Sequence, residues 1–189
     1  MRIGVLALQG AVTEHIDAVT RCGARAVPVK TTAELHEVDG LIIPGGESTT
    51  IGRLMVEYGL DQVIKEKAAD GLPVFGTCAG LILLAEEIAG HEQPHLRLMK
   101  VRAVRNSFGR QRESFETDLS VPVLGERPFR AVFIRAPHID SVGAGVEVLA
   151  RVGDRIVFAR QGHLMASAFH PELVDDLRIH KLFLEMCSA

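Results

Sequence analysis

The sequence predicts an α/β protein in which a mixed sheet has a parallel N-terminal half and antiparallel strands added in the second half. Two patterns indicate this class. Short apolar runs alternate with helix-like segments up to Ile88, as in parallel sheets built by right-handed crossovers. After Leu98, apolar runs follow one another with only Gly, Pro and Asp turns between them. We therefore expect a single domain over residues 1–189, with a flavodoxin-like, three-layer fold.

The first half of the chain supplies four predicted strands and the helices between them. Gly23 is expected to end the first helix, and Ser48 to cap the helix that it begins. Strands are predicted at 2–8, 25–29, 39–43 and just before Gly76. Helices are predicted at 11–22 and 32–36, from Ser48 with a break near Gly59 and a second half that starts at Asp61, and at 81–88.

The second half contains six predicted strands and one long helix. Gly153-Asp154 lies between two apolar runs and is typical of a hairpin turn. The strands are predicted at 98–104, 117–123, 129–134, 146–152, 155–159 and 164–169, and the helix at 173–187.

Composition excludes several classes of function. The net charge of −3 and the lack of a basic stripe argue against nucleic-acid binding, and the absence of Trp argues against a base-stacking surface. No apolar stretch is long enough to span a membrane. Three widely separated cysteines suit a reducing cytosol rather than a disulfide framework, so we expect a cytoplasmic protein. Pro94 interrupts the spacing of His91 and His95, and no metal site is assigned.

The central motif is Gly76-Thr77-Cys78-Ala79-Gly80, between a predicted strand and a predicted helix. This is the layout of a nucleophile elbow with cysteine in place of serine. A sulfur at a helix N-terminus is favoured as the thiolate, and the free N–H groups there can hold an oxyanion. The alternative is a buried structural cysteine beside turn glycines.

A base for this nucleophile is predicted at His170, in His170-Pro171-Glu172, after an apolar strand. Two residues apart on an extended chain, His170 and Glu172 project to the same side, where the carboxylate can orient the imidazole. Ligands of doubly wound sheets bind beyond the carboxyl ends of the strands, where Cys78 and His170 can meet. The alternative is a histidine in a surface turn.

Two further features could hold a substrate. Pro44-Gly45-Gly46-Glu47-Ser48 follows a strand and can present backbone N–H groups to an oxyanion or a carboxylate, although a plain turn also fits. Arg105 and Arg135 lie near predicted strand ends, and either could clamp a carboxylate.

Together these motifs resemble those of class I, or triad, glutamine amidotransferases. Four further strings are similar to the glutaminase subunit of pyridoxal 5′-phosphate synthase: Leu8-Gln9-Gly10, Pro44-Gly45-Gly46-Glu47-Ser48-Thr49, Arg105-Asn106-Ser107-Phe108-Gly109-Arg110-Gln111 and Ile134-Arg135-Ala136-Pro137-His138. The resemblance spans nearly the whole chain.

The resemblance implies a glutaminase that needs no cofactor. Cys78 would attack the glutamine amide, His170 would move protons and Glu172 would orient His170. Ammonia would pass to a synthase subunit, with one glutaminase per synthase subunit, and Gln9 would lie near the docking region. The oxyanion hole would be Gly46 and Ala79, and the glutamine-binding residues would be Gly46, Glu47, Ser48, Arg105, Ile134 and Arg135.

Three alternatives remain open at this point. The chain could serve another amidotransferase, such as one of histidine biosynthesis. It could be a small cysteine peptidase or chaperone of the elbow type, although these usually place the histidine close behind the nucleophile. It could also be a docking subunit without catalysis.

Overall fold

The structure is a computed structural model that describes residues 1–108 and 114–189. The strands are β1 (Arg2–Leu6), β2 (Arg25–Val29), β3 (Gly40–Ile43), β4 (Val74–Thr77), β5 (Ala85–Ile88), β6 (Met99–Val104), β7 (Ser114–Leu119), β8 (Phe129–Ile134), β9 (His138–Val142), β10 (Glu147–Val152), β11 (Arg155–Gln161) and β12 (Leu164–Ser167). The helices are α1 (Val12–Arg21), α2 (Thr32–His36), α3 (Ser48–Glu57), α4 (Leu60–Ala69), α5 (Ala79–Leu84) and α6 (Arg178–Met186), with 3-10 turns at Pro122–Leu124 and Pro171–Leu173.

The predicted fold class is confirmed by the sheet. Its parallel part has the order β2-β1-β3-β4-β12, which corresponds to the flavodoxin-like order. Every residue of β3, β4 and β12 is buried, as expected for strands covered on both faces. The sheet continues through β11, β9 and β6 in antiparallel steps, and β10 also pairs with β11.

The helix after the elbow is shorter than predicted. It ends at Leu84, and Ala85 takes extended backbone angles and begins β5, which pairs in parallel with β6. The prediction of a helix over 81–88 was therefore wrong at its end. Ala85 and Ile88 are buried and the two glutamates between them are exposed, a pattern that an edge strand satisfies.

Two other differences lie in the second half. The predicted strand at 117–123 is shifted to β7, because Pro122 has no N–H to donate and instead begins a 3-10 turn. β7 pairs with β8 in a separate two-stranded sheet instead of extending the main one. β9 was not predicted, since the polar residues Asp140 and Ser141 interrupt its apolar character.

The C-terminal helix also begins later than expected, at Arg178, after a 3-10 turn that starts at Pro171. None of the described helices has the length and apolar character that crossing a membrane requires.

Candidate active site

Cys78 occupies a strained turn between β4 and α5. Its backbone has φ 51° and ψ −100°, a conformation that costs non-glycine residues about 1–3 kcal/mol and that clusters at functional sites. The Cys78 N–H donates to the carbonyl oxygen of Ser167 at 2.7 Å, which fixes the turn against the end of β12. The thiol is buried and lies 3.9 Å from the carbonyl oxygen of Ile134.

The glycines of the turn are required by close backbone packing. A Cβ atom at Gly80 would overlap the carbonyl oxygen of Ile43, and one at Gly76 would overlap the carbonyl oxygen of Gly80. Strand β3, the elbow and α5 can therefore approach each other only with glycine at these positions. This close approach explains the small residues on both sides of Cys78.

His170 and Glu172 lie just beyond β12, which is the parallel neighbour of β4. The backbone N–H of His170 donates to the carbonyl oxygen of Val132 at 2.8 Å. Its ring Nδ1 lies 2.7 Å from Oε1 of Glu172, and both residues are buried. Because an ionised carboxylate can only accept, Nδ1 carries the hydrogen of this bond.

The electrostatics of this group favour a charged histidine. Burial lowers the pKa of His170, but hydrogen bonds and charge interactions with Cys78 and Glu172 outweigh it and raise the pKa to about 10. Burial raises the pKa of Glu172, whereas the electrostatic interaction with His15 and the hydrogen bond and charge of His170 lower it, with a net decrease. At neutral pH the arrangement is an imidazolium held by a carboxylate, beside the sulfur of Cys78.

A cleft of about 330 Å³ opens over Cys78. This volume lies at the lower end of the range of small-molecule pockets, about 300–1,000 Å³. Ten of the residues singled out from the sequence line the cleft: Gln9, Gly46, Glu47, Ser48, Cys78, Ala79, Arg105, Ile134, Arg135 and His170. Glu172 does not line it, because it is packed behind His170.

The mouth of the cleft is built from exposed groups. Glu47 and Arg135 are more than half exposed, and their side chains are separated by 3.9 Å between Oε1 and Nη2. The Glu47 N–H donates to Oε1 of Gln9 at 2.7 Å, which joins the loop after β1 to the loop after β3. Gln9 therefore contacts the loop that contains Gly46.

Ser48 does not cap α3 as predicted. Glu47 is the N-cap residue and makes no side-chain capping bond, so Ser48 is the first residue of the helix. The Ser48 hydroxyl is directed instead to Oε1 of Gln93, at 3.1 Å. Gln93 also accepts from Thr49 at 3.2 Å, so the segment after β5 holds the start of α3.

Two residues that line the cleft, Ile82 and Asn106, were missed by the sequence reasoning. Asn106 has φ 45° and Arg135 has φ 43°, so both take left-handed backbone conformations on the rim. Asparagine is one of the few residues that adopts this conformation readily, which was the available signal for a functional turn. Gly109, Arg110 and Gln111 of the resemblance string lie outside the described residues.

Comparison with known proteins agrees with this geometry. A model of the SNO glutamine amidotransferase family matches residues 5–189. The pyridoxal 5′-phosphate synthase subunit PdxT of Pelotomaculum thermopropionicum is 60% identical over 187 residues, which cover 99% of this chain and 95% of the relative. The protein of the same name from Geobacillus thermodenitrificans is 60% identical over 186 residues, with 98% and 95% covered.

A solved structure described as a glutamine amidotransferase superposes with a TM-score of 0.94 at 51% identity, and 99% of each chain is covered. Family model, relatives and structure all extend over nearly the whole chain. This chain belongs to the SNO glutamine amidotransferase family.

Proposed function

We propose that this chain is the glutaminase subunit of a pyridoxal 5′-phosphate synthase, in which it hydrolyses L-glutamine to L-glutamate and ammonia and passes the ammonia to a synthase subunit for vitamin B6 biosynthesis. One observation carries the proposal: a buried cysteine on a strained elbow faces a substrate-sized cleft beside a histidine bonded to a carboxylate. The name that the 60% identical relatives share supports the partner.

The first half of the reaction forms a thioester. The Cys78 thiolate attacks the side-chain amide carbon of glutamine, and the carbonyl oxygen becomes an oxyanion. The His170 imidazolium then gives its proton to the amide nitrogen, the carbon–nitrogen bond breaks and ammonia leaves. Glu172 holds Nδ1 of His170, so that Nε2 is the nitrogen that exchanges the proton.

The second half returns the enzyme to its starting state. Neutral His170 takes a proton from water, and the resulting hydroxide attacks the glutamyl thioester. The carbon–sulfur bond breaks, glutamate leaves and Cys78 is again a thiolate beside an imidazolium. Each half passes through an oxyanion, so the same stabilising groups serve both.

The N–H groups of Gly46 and Ala79 are assigned to that oxyanion. Ala79 is the first residue of α5, where N–H groups have no partner within the helix. Six residues are assigned to glutamine binding: Gly46, Glu47, Ser48, Arg105, Ile134 and Arg135. All of them line the cleft, and the two arginines are suited to the substrate α-carboxylate.

The remaining assignments concern the assembly. All 189 residues form one glutaminase domain, which pairs with one synthase subunit in the cytoplasm. Gln9 is assigned to docking and activation, and its bond to the Glu47 N–H supports this role. A partner that moves the loop after β1 would also move the loop that presents Gly46.

The test is release of glutamate from glutamine by the purified chain, alone and with a pyridoxal 5′-phosphate synthase subunit. Turnover that rises with the synthase and vanishes in Cys78→Ala supports the reaction, the nucleophile and the partner. Turnover indifferent to that synthase would reject the partner but keep the glutaminase. No turnover in either case would reject the proposal, and peptide substrates would then test the peptidase alternative.

A further inference from the structure

A buried polar cluster lies behind Glu172, on the side away from the cleft. Its members are His15 on α1, Thr77 at the end of β4 and His180 on α6, and none has measurable exposure to solvent. None of the three lines the cleft, and the reaction described above uses none of them. Three buried polar side chains from three separate elements require an explanation, since burial of polar groups is unfavourable without hydrogen bonds.

The cluster meets the free oxygen of the Glu172 carboxylate. Oε1 of Glu172 is bonded to His170, whereas Oε2 is buried and has no hydrogen bond within normal limits. Nε2 of His15 lies 3.4 Å from Oε2 and 3.1 Å from the hydroxyl oxygen of Thr77. On its other side, Nδ1 of His15 lies 3.0 Å from Nε2 of His180.

Both histidines are neutral at physiological pH. Burial lowers the pKa of His15 in spite of the opposing charge of Glu172, and burial also lowers the pKa of His180, to about 3. A neutral imidazole carries one N–H and one lone pair. The contact between the two rings is therefore a hydrogen bond in which exactly one of them is the donor.

The surroundings decide which ring donates. If His15 donated from its Nδ1, the lone pair on its Nε2 would face the Glu172 carboxylate. His180 would then carry its hydrogen on its own Nδ1, which is buried without a partner. If His180 donates from Nε2, His15 carries its hydrogen on Nε2, directed at Thr77 and Glu172. The second arrangement removes the repulsion and leaves only an unpaired lone pair on His180, so it is the more stable one.

We propose that His15 and His180 are positioning residues for the triad: His180 holds His15 in its Nε2–H tautomer, and His15 then donates to the free carboxylate oxygen of Glu172. This contact of 3.4 Å opposes rotation of the carboxylate away from His170. The proposal deepens the function proposed above, because its kinetic effect is read in glutamine hydrolysis.

The first test does not depend on activity. Nitrogen NMR of the full-length protein, with isotope-labelled histidine, distinguishes the Nδ1–H tautomer from the Nε2–H tautomer, and the variants assign the signals. The expected result is Nε2–H on both His15 and His180 at neutral pH. A charged His15, or His15 with its hydrogen on Nδ1, would overturn the proposal even if the glutaminase assignment is correct.

The second test is kinetic and uses the complex with a synthase subunit. His15→Leu removes the donor, and kcat is expected to fall ~10-fold with little change in KM, because one hydrogen bond to a charged group is lost and His15 acts only through Glu172. His15→Gln can place an amide N–H near the position of Nε2, and it should recover most of the loss. His180→Phe keeps an aromatic ring against Phe75 but loses the Nε2 donor, so an intermediate loss is expected.

His163→Gln is the control, because His163 is a partly buried histidine that bonds the carbonyl oxygen of Ala68, outside the cluster. An equal loss of kcat in His163→Gln, or a folded His15→Leu variant with wild-type kcat, would overturn the proposal. If His15→Leu does not fold, His15→Gln is compared with His180→Phe instead. A folded His15→Gln variant that is no more active than His180→Phe would also overturn the proposal. If the wild-type complex does not hydrolyse glutamine, the proposed function fails and the NMR result alone decides the tautomer.

Discussion

The two sides of Cys78 differ in how firmly they are held. On one side, His170 and Glu172 are buried and joined by a bond of 2.7 Å. On the other side, Gly46, Glu47 and Arg135 are exposed, and the ion pair of the last two is 3.9 Å long. We call these the triad side and the mouth.

The difference indicates that the two sides of Cys78 have separate functions. The triad side has its charges and hydrogen bonds in place without substrate, whereas the mouth rests on loops after β1 and β3 that contact each other through few bonds. A partner protein can change exposed loops at low cost, but it cannot easily change a buried network. We therefore expect regulation to act on the mouth, which contains the Gly46 N–H assigned to the oxyanion, whereas the nucleophile and the base stay fixed on the triad side.

The largest effect is expected from Cys78→Ala. Removal of the nucleophile should lower glutaminase turnover by at least ~10³-fold, because no other group can form the thioester. Glutamate release measures the loss, and sedimentation with the synthase checks that docking survives. Cys22→Ala is the control, since Cys22 lies outside the cleft; residual turnover near wild type in Cys78→Ala would remove Cys78 from the mechanism.

His170→Asn should be nearly as severe. Nucleophile and base act as one unit, so the loss of either member removes most of the benefit of both. Single-turnover formation of glutamate measures the chemical step directly. Turnover close to wild type in this variant would assign the proton transfers to another residue. It would also contradict the view that the triad side carries the base.

Glu172→Ala should lower turnover less than His170→Asn does, by about one to two orders of magnitude relative to the wild type, because orienting a base is worth less than proton transfer. It should also change the pH profile of kcat/KM. In the wild type the basic limb is expected near pH 10, where His170 loses its proton, and removal of the carboxylate lowers this pKa and moves the limb to lower pH. An unchanged limb would show that Glu172 does not hold the imidazolium.

The same pKa of His170 predicts the pH dependence of stability. The folded pKa of about 10 lies above the ordinary histidine pKa of 6.5, so this group stabilises the fold fully below pH 6.5 and loses that contribution as pH rises to about 10. Denaturant unfolding of wild type and His170→Asn across this interval should give free energies of unfolding whose difference decreases with pH.

The smallest effect is expected at the mouth. Glu47→Gln removes one partner of an exposed pair that is worth at most about 1 kcal/mol, so KM should rise by no more than ~5-fold with kcat unchanged. Glu57→Gln, on the exposed end of α3, is the matched control. A large fall in kcat for Glu47→Gln would show that the Glu47 side chain takes part in the chemistry.

The sequence predicted that Cys78 and His170 meet, although they lie far apart in the chain. Cys78 and His170 each follow a buried strand, and the rule that parallel strands end at one edge brings them together without knowledge of side-chain packing. The contact between His170 and Glu172 was predictable because the two residues are only two positions apart. By contrast, the cluster of His15, Thr77 and His180 depends on how α1 and α6 pack against the sheet, which no short pattern contains.

The errors in the fold have a similar origin. Ala85 to Ile88 continues an apolar helical stretch, and only pairing with β6 makes it a strand. Ser48 has the residue type of a cap, but tertiary contact with Gln93 decides the direction of its hydroxyl. Local propensity was overruled in both places by partners distant in sequence.

The backbone angles of Cys78 imply a conflict between two kinds of fitness. Glycine at position 78 would relieve a conformation worth about 1–3 kcal/mol, although glycine also loses more chain entropy on folding. If variants at position 78 were selected for protein abundance in cells, glycine would therefore be favoured over any larger residue. If they were selected for growth of cells that must make their own vitamin B6, only cysteine would be retained. Cysteine at position 78 is therefore explained by its reactivity and not by its effect on stability.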